Sequence, residues 1–122
     1  MELKEYPYQN LKKISDLFNS DGPLLSQYQD ETGMNYLYLL ADNNFKENKW
    51  MVFKAHKGDL DHYLKGAISL LELIQHPINE RVILVDTDAA FNYRNAISLK
   101  PHDIPDYYMP TSKSYYLVDT TI

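Results

Sequence analysis

The chain has no cysteine, only two arginines (Arg81 and Arg94) and only four glycines in 122 residues. Without cysteine there is no disulfide framework, no thiolate nucleophile and no cysteine zinc site, which fits a reducing compartment. Arginine, the usual guanine-reading residue, is scarce. Acidic residues outnumber basic ones 17 to 12, for a formal net charge of -5, which argues against broad contact with a phosphate backbone. The glycines stand at 22, 33, 58 and 66. They form neither G-x-x-x-x-G-K nor G-x-G-x-x-G, so no phosphate cradle is encoded. G-x-S-x-G is also missing, and Ser26 and Ser69 have no recognisable catalytic partner. The apolar runs, such as residues 82–85, fall far short of the roughly 20 residues a membrane span needs. Residues 1–10 lack the apolar core of a signal peptide. The expectation is a cytoplasmic protein without a membrane partner and without a cofactor.

What the chain does have is tyrosine: 11 residues, against 4 Phe and 1 Trp. Otherwise 44% hydrophobic and 24% charged residues describe a globular domain. The length predicts a single domain over residues 1–122 with one modest core.

Leu11, Ile14, Leu17 and Phe18 are spaced like one face of a short helix, and a strand leading into a hairpin competes with that reading. Residues 24–30 read as a strand, Glu31-Thr32-Gly33 as a turn, and residues 34–41 as a second strand. Residues 49–55 alternate as a third strand, Trp50 and Val52 against Met51 and Phe53. Asp59 is placed to cap a helix carrying Leu60, Tyr63 and Leu64, with Gly66 as its stop. Ser69-Leu70-Leu71-Glu72 is a capping box, with Ile68 and Leu73 placed for a hydrophobic staple. His76-Pro77 ends that second helix. Residues 81–87 read as a buried strand and 91–99 as its hairpin partner. Pro101, Pro105 and Pro110 space a loop, and residues 115–118 suggest a last strand. Strands, then helices, then strands predict an α+β fold: a twisted antiparallel sheet of about five or six strands with two short helices packed on one face.

Three groups of residues invite chemistry. Asp86-Thr87-Asp88 follows an apolar strand, and paired carboxylates at a strand end can hold a divalent cation. The competing reading is that two Asp residues open a turn and bond to backbone. His56, Asp59, Asp61 and His62 lie close in sequence, but no H-E-x-x-H and no histidine pair at i, i+4 accompany them. The third group is aromatic. Tyrosine suits protein interfaces because it is amphipathic and loses little entropy on contact. Tyr36, Tyr38 and Tyr63 read as sheet or helix-core residues. Tyr107, Tyr108, Tyr115 and Tyr116, with Trp50, read as partner-binding anchors.

Several short elements occur in a fixed order: Asp21-Gly22-Pro23, Gly33 with Tyr36-Leu37-Tyr38-Leu39, Trp50, Ile68-Ser69-Leu70, Val85-Asp86-Thr87-Asp88, and Ile104-Pro105 with Tyr108 and Pro110. In that order, over roughly residues 11–118, the chain resembles a family of small bacterial domains of unknown function. It departs from that family's pattern at His76-Pro77, where His stands for the more usual Asn. The resemblance implies one complete domain and favours a hairpin over residues 11–30. It implies no activity and no catalytic residue.

Together these readings predict a non-enzymatic protein-interaction module of a bacterial or phage cell, with an inhibitor or immunity-type protein as the sharper variant. The partner is another protein, nucleic acid is disfavoured, and a homo-oligomer is left open. The alternative is a small metal- or nucleotide-dependent enzyme or ligand sensor using Asp86 and Asp88.

Overall fold

The computed structural model describes residues 2–3, 10–19, 23–43 and 46–110. Tyr115 and Tyr116, and the strand expected at 115–118, lie outside the described residues. The strands are β1 (Glu2–Leu3), β2 (Lys12–Asn19), β3 (Pro23–Gln29), β4 (Asn35–Asn43), β5 (Glu47–Ala55), β6 (Val82–Asp88) and β7 (Tyr93–Leu99). The helices are α1 (Lys57–Leu64) and α2 (Leu70–Gln75). The fold is α+β: six longer strands form an open antiparallel meander, and the two-residue β1 pairs with β7 at one edge. No helix among the described residues is long and apolar enough to cross a membrane.

Alternation along the central strands supplies two apolar faces. Leu37, Met51, Phe53, Val82 and Leu84 point to one side, where they pack with Leu60 and Tyr63 of α1 and Leu70, Leu73 and Ile74 of α2. Tyr38, Trp50, Val52, Ile83, Val85 and Ala96 form a second cluster on the other side, flanked by Leu11, Tyr28, Leu40 and Tyr93. Burying an apolar side chain of this size contributes roughly 1.5–3 kcal/mol, so both faces are needed to offset the ordering entropy of a domain this small. Tyr36, Tyr38 and Tyr63 are all buried, as their positions in the pattern predict.

Residues 12–19 are a strand, which decides between the two readings of that segment. β2 pairs with β3 through three register shifts, between Lys13 and Ser15, Asp16 and Phe18, and Phe18 and Asn19. A plain strand would send Leu17 and Phe18 to opposite faces; here both pack against the helix-side core. Leu11, by contrast, flanks the cluster on the other side and Ile14 is exposed, so the helix-like spacing of the four apolar residues does not mark one buried face. The same bulges, with Lys12, Lys13 and Asp16, break up an edge that could otherwise pair with another chain.

α1 begins earlier than its sequence signals suggest. His56, extended at φ -63° and ψ 139°, occupies the cap position without a side-chain bond, and Asp59 sits in the first helical turn. Leu60 and Tyr63 face the core, while Leu64 is exposed. Past the cap residue Lys65 the chain turns at Gly66, whose φ of 79° is open to glycine at little cost. The Gly66 N–H donates to the Tyr63 carbonyl and the Ala67 N–H to the His62 carbonyl, the double bond of a Schellman stop. α2 has the expected capping box: the Glu72 N–H donates to Ser69 Oγ at 3.0 Å, and the Glu72 carboxylate accepts from the Ser69 N–H. At its far end His76 Nδ1–H donates to the Glu72 carbonyl at 3.0 Å.

The proline-spaced segment after β7 is packed. It makes two 3-10 turns, Pro101–Asp103 and Asp106–Tyr108. Ile104 is buried in the helix-side core, and Tyr108 and Met109 pack against it. This segment therefore closes part of the face that the short helices leave open.

Candidate interaction surface

Tyr107 and Tyr108 occupy the second 3-10 turn. Pro105 fixes the entry, the Tyr108 N–H donates to the Pro105 carbonyl at 3.0 Å, and the Met109 N–H donates to the Asp106 carbonyl at 3.0 Å. The two side chains part company from there. Tyr108 rests on the core, whereas Tyr107 is 78% exposed. Their rings meet edge to face with centroids 4.5 Å apart. Tyr107 is therefore an aromatic side chain in water whose backbone is held by a neighbour anchored in the core.

Beneath Tyr108 lies a cross-strand ion pair. Lys49 of β5 and Asp86 of β6 are register partners, and Lys49 Nζ stands 2.7 Å from Asp86 Oδ1. Both side chains are mostly covered, and such a pair contributes about 0.2–1 kcal/mol. The same ammonium lies 5.9 Å from the centre of the Tyr108 ring, within the range of a cation–π contact. Burial pushes the Tyr108 hydroxyl pKa up and the Lys49 charge opposes that shift, while Tyr107 and Asp42 add to it.

Asp86 and Asp88 share the parity of Val82 and Leu84 on β6, but their carboxylates are separately engaged. Asp86 holds Lys49. Asp88 Oδ1 accepts from the Ala90 N–H at 2.9 Å and the Asn92 N–H at 2.8 Å, and Oδ2 accepts from Asn92 Nδ2 at 3.1 Å. These bonds, the backbone and side chain of Asn92 foremost, hold the Asp88 carboxyl below its ordinary pKa of 3.8. Among the described residues no group of three or more His, Asp or Glu is placed to hold a metal ion.

Trp50 does not join Tyr107 and Tyr108. It is 4% exposed, lies in the cluster on the opposite side of the sheet, and donates its indole N–H to Thr87 Oγ1 at 3.1 Å. It belongs to the core, and the expectation that it acts as an exposed anchor is corrected. Tyr115 and Tyr116, the remaining expected anchors, lie outside the described residues.

One exposed aromatic was not singled out by its sequence context. Phe91 sits in the β6–β7 turn at φ 66° and is 44% exposed. A bulky residue in the left-handed region costs about 1–2 kcal/mol. Its ring lies 5.5 Å from Trp50 and 5.9 Å from Tyr38, contacts that offset roughly 0.5–1.5 kcal/mol each. The signal was present: Asp88 precedes Phe91 by three residues, as Asp30 precedes Gly33.

An open hollow of about 710 Å³ adjoins the Tyr107 turn, between α2 and the segment that follows β7. Leu71, Ile104 and Met109 give it apolar walls, and Glu80, Lys100 and Asp106 stand among its polar ones. Asp106 and Met109 flank the two tyrosines, so the turn forms one rim of the hollow.

No family model, no curated protein and no solved structure matches this chain.

Proposed function

We propose that this chain is a protein-interaction module that binds another protein through the Tyr107–Tyr108 turn, in the manner of an inhibitor or immunity-type protein of a bacterial or phage cell. One observation carries the reading: Tyr107 is exposed on a turn whose own position is fixed by packing. An aromatic held in this way reaches a partner with little further loss of entropy, and central aromatic anchors cost about 2 kcal/mol or more when truncated. The acidic balance of the chain suits a partner with basic surface.

Affinity capture from the source cell tests the reading. Tyr107→Ala removes the exposed ring while Tyr108 keeps its place on the core. The variant is expected to unfold at the wild-type temperature and to lose most of the captured partner. Capture equal to wild type removes this turn from the proposal. The enzyme or sensor alternative at Asp86 and Asp88 is separated by thermal unfolding with Mn²⁺ or Mg²⁺ and nucleotide. Stabilisation that disappears in Asp86→Asn would favour it over the interaction module.

A further inference from the structure

The interaction reading leaves the chemistry of the partner open, and the surroundings of Tyr107 narrow it. We propose that the Tyr107 turn and the adjoining hollow receive a basic segment of the partner protein, with an Arg or Lys side chain on the Tyr107 ring beside Asp106. This rests on the interaction reading and deepens it.

Three observations converge. The neighbouring ring already holds a cation: Lys49 Nζ lies 5.9 Å from the centre of Tyr108. Tyr107 offers a ring of the same kind, 78% exposed, to a cation from outside. Next, the fixed charges near the turn have an acidic excess. Asp106 precedes Tyr107 and is exposed, Asp42 is near enough to act on the Tyr108 hydroxyl, and Asp103 is exposed in the preceding turn. Lys49 is already matched by Asp86, which leaves Lys100 as the fixed cation of that segment and His102 beside Asp103. A basic segment is therefore complementary and an acidic one is repelled. Finally, the hollow beside the turn has apolar walls at Leu71, Ile104 and Met109, and its charged margin carries two carboxylates, Glu80 and Asp106, against one fixed cation, Lys100. An aliphatic side chain next to the partner's cation would occupy the apolar part of that space, and such pockets take apolar groups oriented by a few polar ones.

The test is an NMR titration of the isotope-labelled full chain with three capped pentapeptides: Gly-Arg-Leu-Arg-Gly, Gly-Ser-Leu-Ser-Gly and Gly-Glu-Leu-Glu-Gly. The expected result is that the Arg peptide shifts the amides of Asp106, Tyr107, Tyr108 and Met109 more than that of Asp61, an exposed position on α1. Tyr107→Leu should weaken its binding by about two- to fivefold, and Tyr107→Phe should preserve it, because the aromatic face rather than apolar bulk attracts the cation. If the Ser peptide shifts the turn as strongly as the Arg peptide, the basic-segment proposal fails while the interaction surface stands. If the Arg peptide moves acidic residues throughout the chain equally, the proposal also fails, since only bulk charge is then at work. If no peptide moves the turn beyond Asp61, the proposal is overturned and the surface reading loses its support as well.

Discussion

The β3–β4 turn and the β6–β7 turn share one backbone plan but carry different kinds of residue at its positive-φ position. In each, an aspartate opens the turn, its N–H donates to the carbonyl four residues on, and its carbonyl accepts from the N–H three residues on. The first of these bonds joins Asp30 to Met34 in one turn and Asp88 to Asn92 in the other. In each, the aspartate carboxylate gathers the donors inside the turn. The fourth residue has a positive φ in both: 88° at Gly33 and 66° at Phe91. Glycine is the expected occupant there, because it bears no Cβ. The first turn follows local rules throughout. The second breaks one, and the residue that breaks it is an exposed aromatic on the rings of Tyr38 and Trp50. The comparison separates a position set by backbone economy from one where a side chain is kept in spite of it.

The largest effects should come from removing the shared aspartate. Asp30 Oδ1 accepts from the Thr32 N–H, the Thr32 hydroxyl and the Met34 N–H, and Oδ2 accepts from the Tyr36 hydroxyl. Asp88 accepts from three donors. Thermal unfolding is therefore expected to show a clear drop for both Asp30→Ala and Asp88→Ala, the larger for Asp30→Ala. A greater loss at Asp88 would break the parallel.

Acid should act on both turns through the same groups, with a smaller effect because a protonated carboxyl still accepts. Hydrogen bonds, chiefly from Thr32 to Asp30 and from Asn92 to Asp88, hold both carboxyls below the ordinary 3.8. A depressed folded pKa means the unfolded chain takes up protons first. The stabilisation is complete well above pH 4 and is lost as pH falls through the folded values, below 3.8. Urea unfolding followed against pH should fall in that window for the wild type and less steeply for either Ala variant.

The fourth position then distinguishes the turns. A Cβ at Gly33 meets no atom within 4 Å, so Gly33→Ala tests the backbone alone and should cost about 1 kcal/mol in chemical unfolding. At position 91 the order reverses: Phe91→Gly should be more stable than Phe91→Ala by about the same 1 kcal/mol, since both lose the ring and only Ala keeps the strain. Equal stabilities for those two variants would show that Phe91 bears no backbone cost.

Much of this fold is written locally in the sequence. The alternation in β4 and β5, the apolar run of β6, the capping box of α2 and the Gly33 turn depend on residues within a few positions of each other. Elements decided by distant contacts were less legible. β2 was ambiguous because its pairing with β3 is irregular, and the register shifts put the sequence neighbours Leu17 and Phe18 on one face. The start of α1 carries no capping side chain to mark it. Residues 101–110 have loop composition, yet Ile104, Tyr108 and Met109 are drawn onto the core. The alternation also separated Trp50 from Met51 correctly, but it could not identify an exposed face, since both faces of β5 are buried. For the surface, Tyr107 stood out through its Pro-bounded context, whereas Phe91 emerged only when two turns could be laid side by side.

Among the described residues the two exposed aromatics are Tyr107, which leans on Tyr108 at the helix-side core, and Phe91, which rests on Trp50 and Tyr38 on the other side of the sheet, so a partner that meets one turn directly need not meet the other. Site-specific photocrosslinking in the source cell addresses this directly, with a benzophenone amino acid placed in turn at positions 107, 91 and 61. A discrete crosslinked partner is expected at 107, well above the yield at the exposed helix position 61. A yield at 107 no greater than at 61 would contradict the Tyr107 interface, and a partner seen at 91 alone would move the interface to the other side of the sheet.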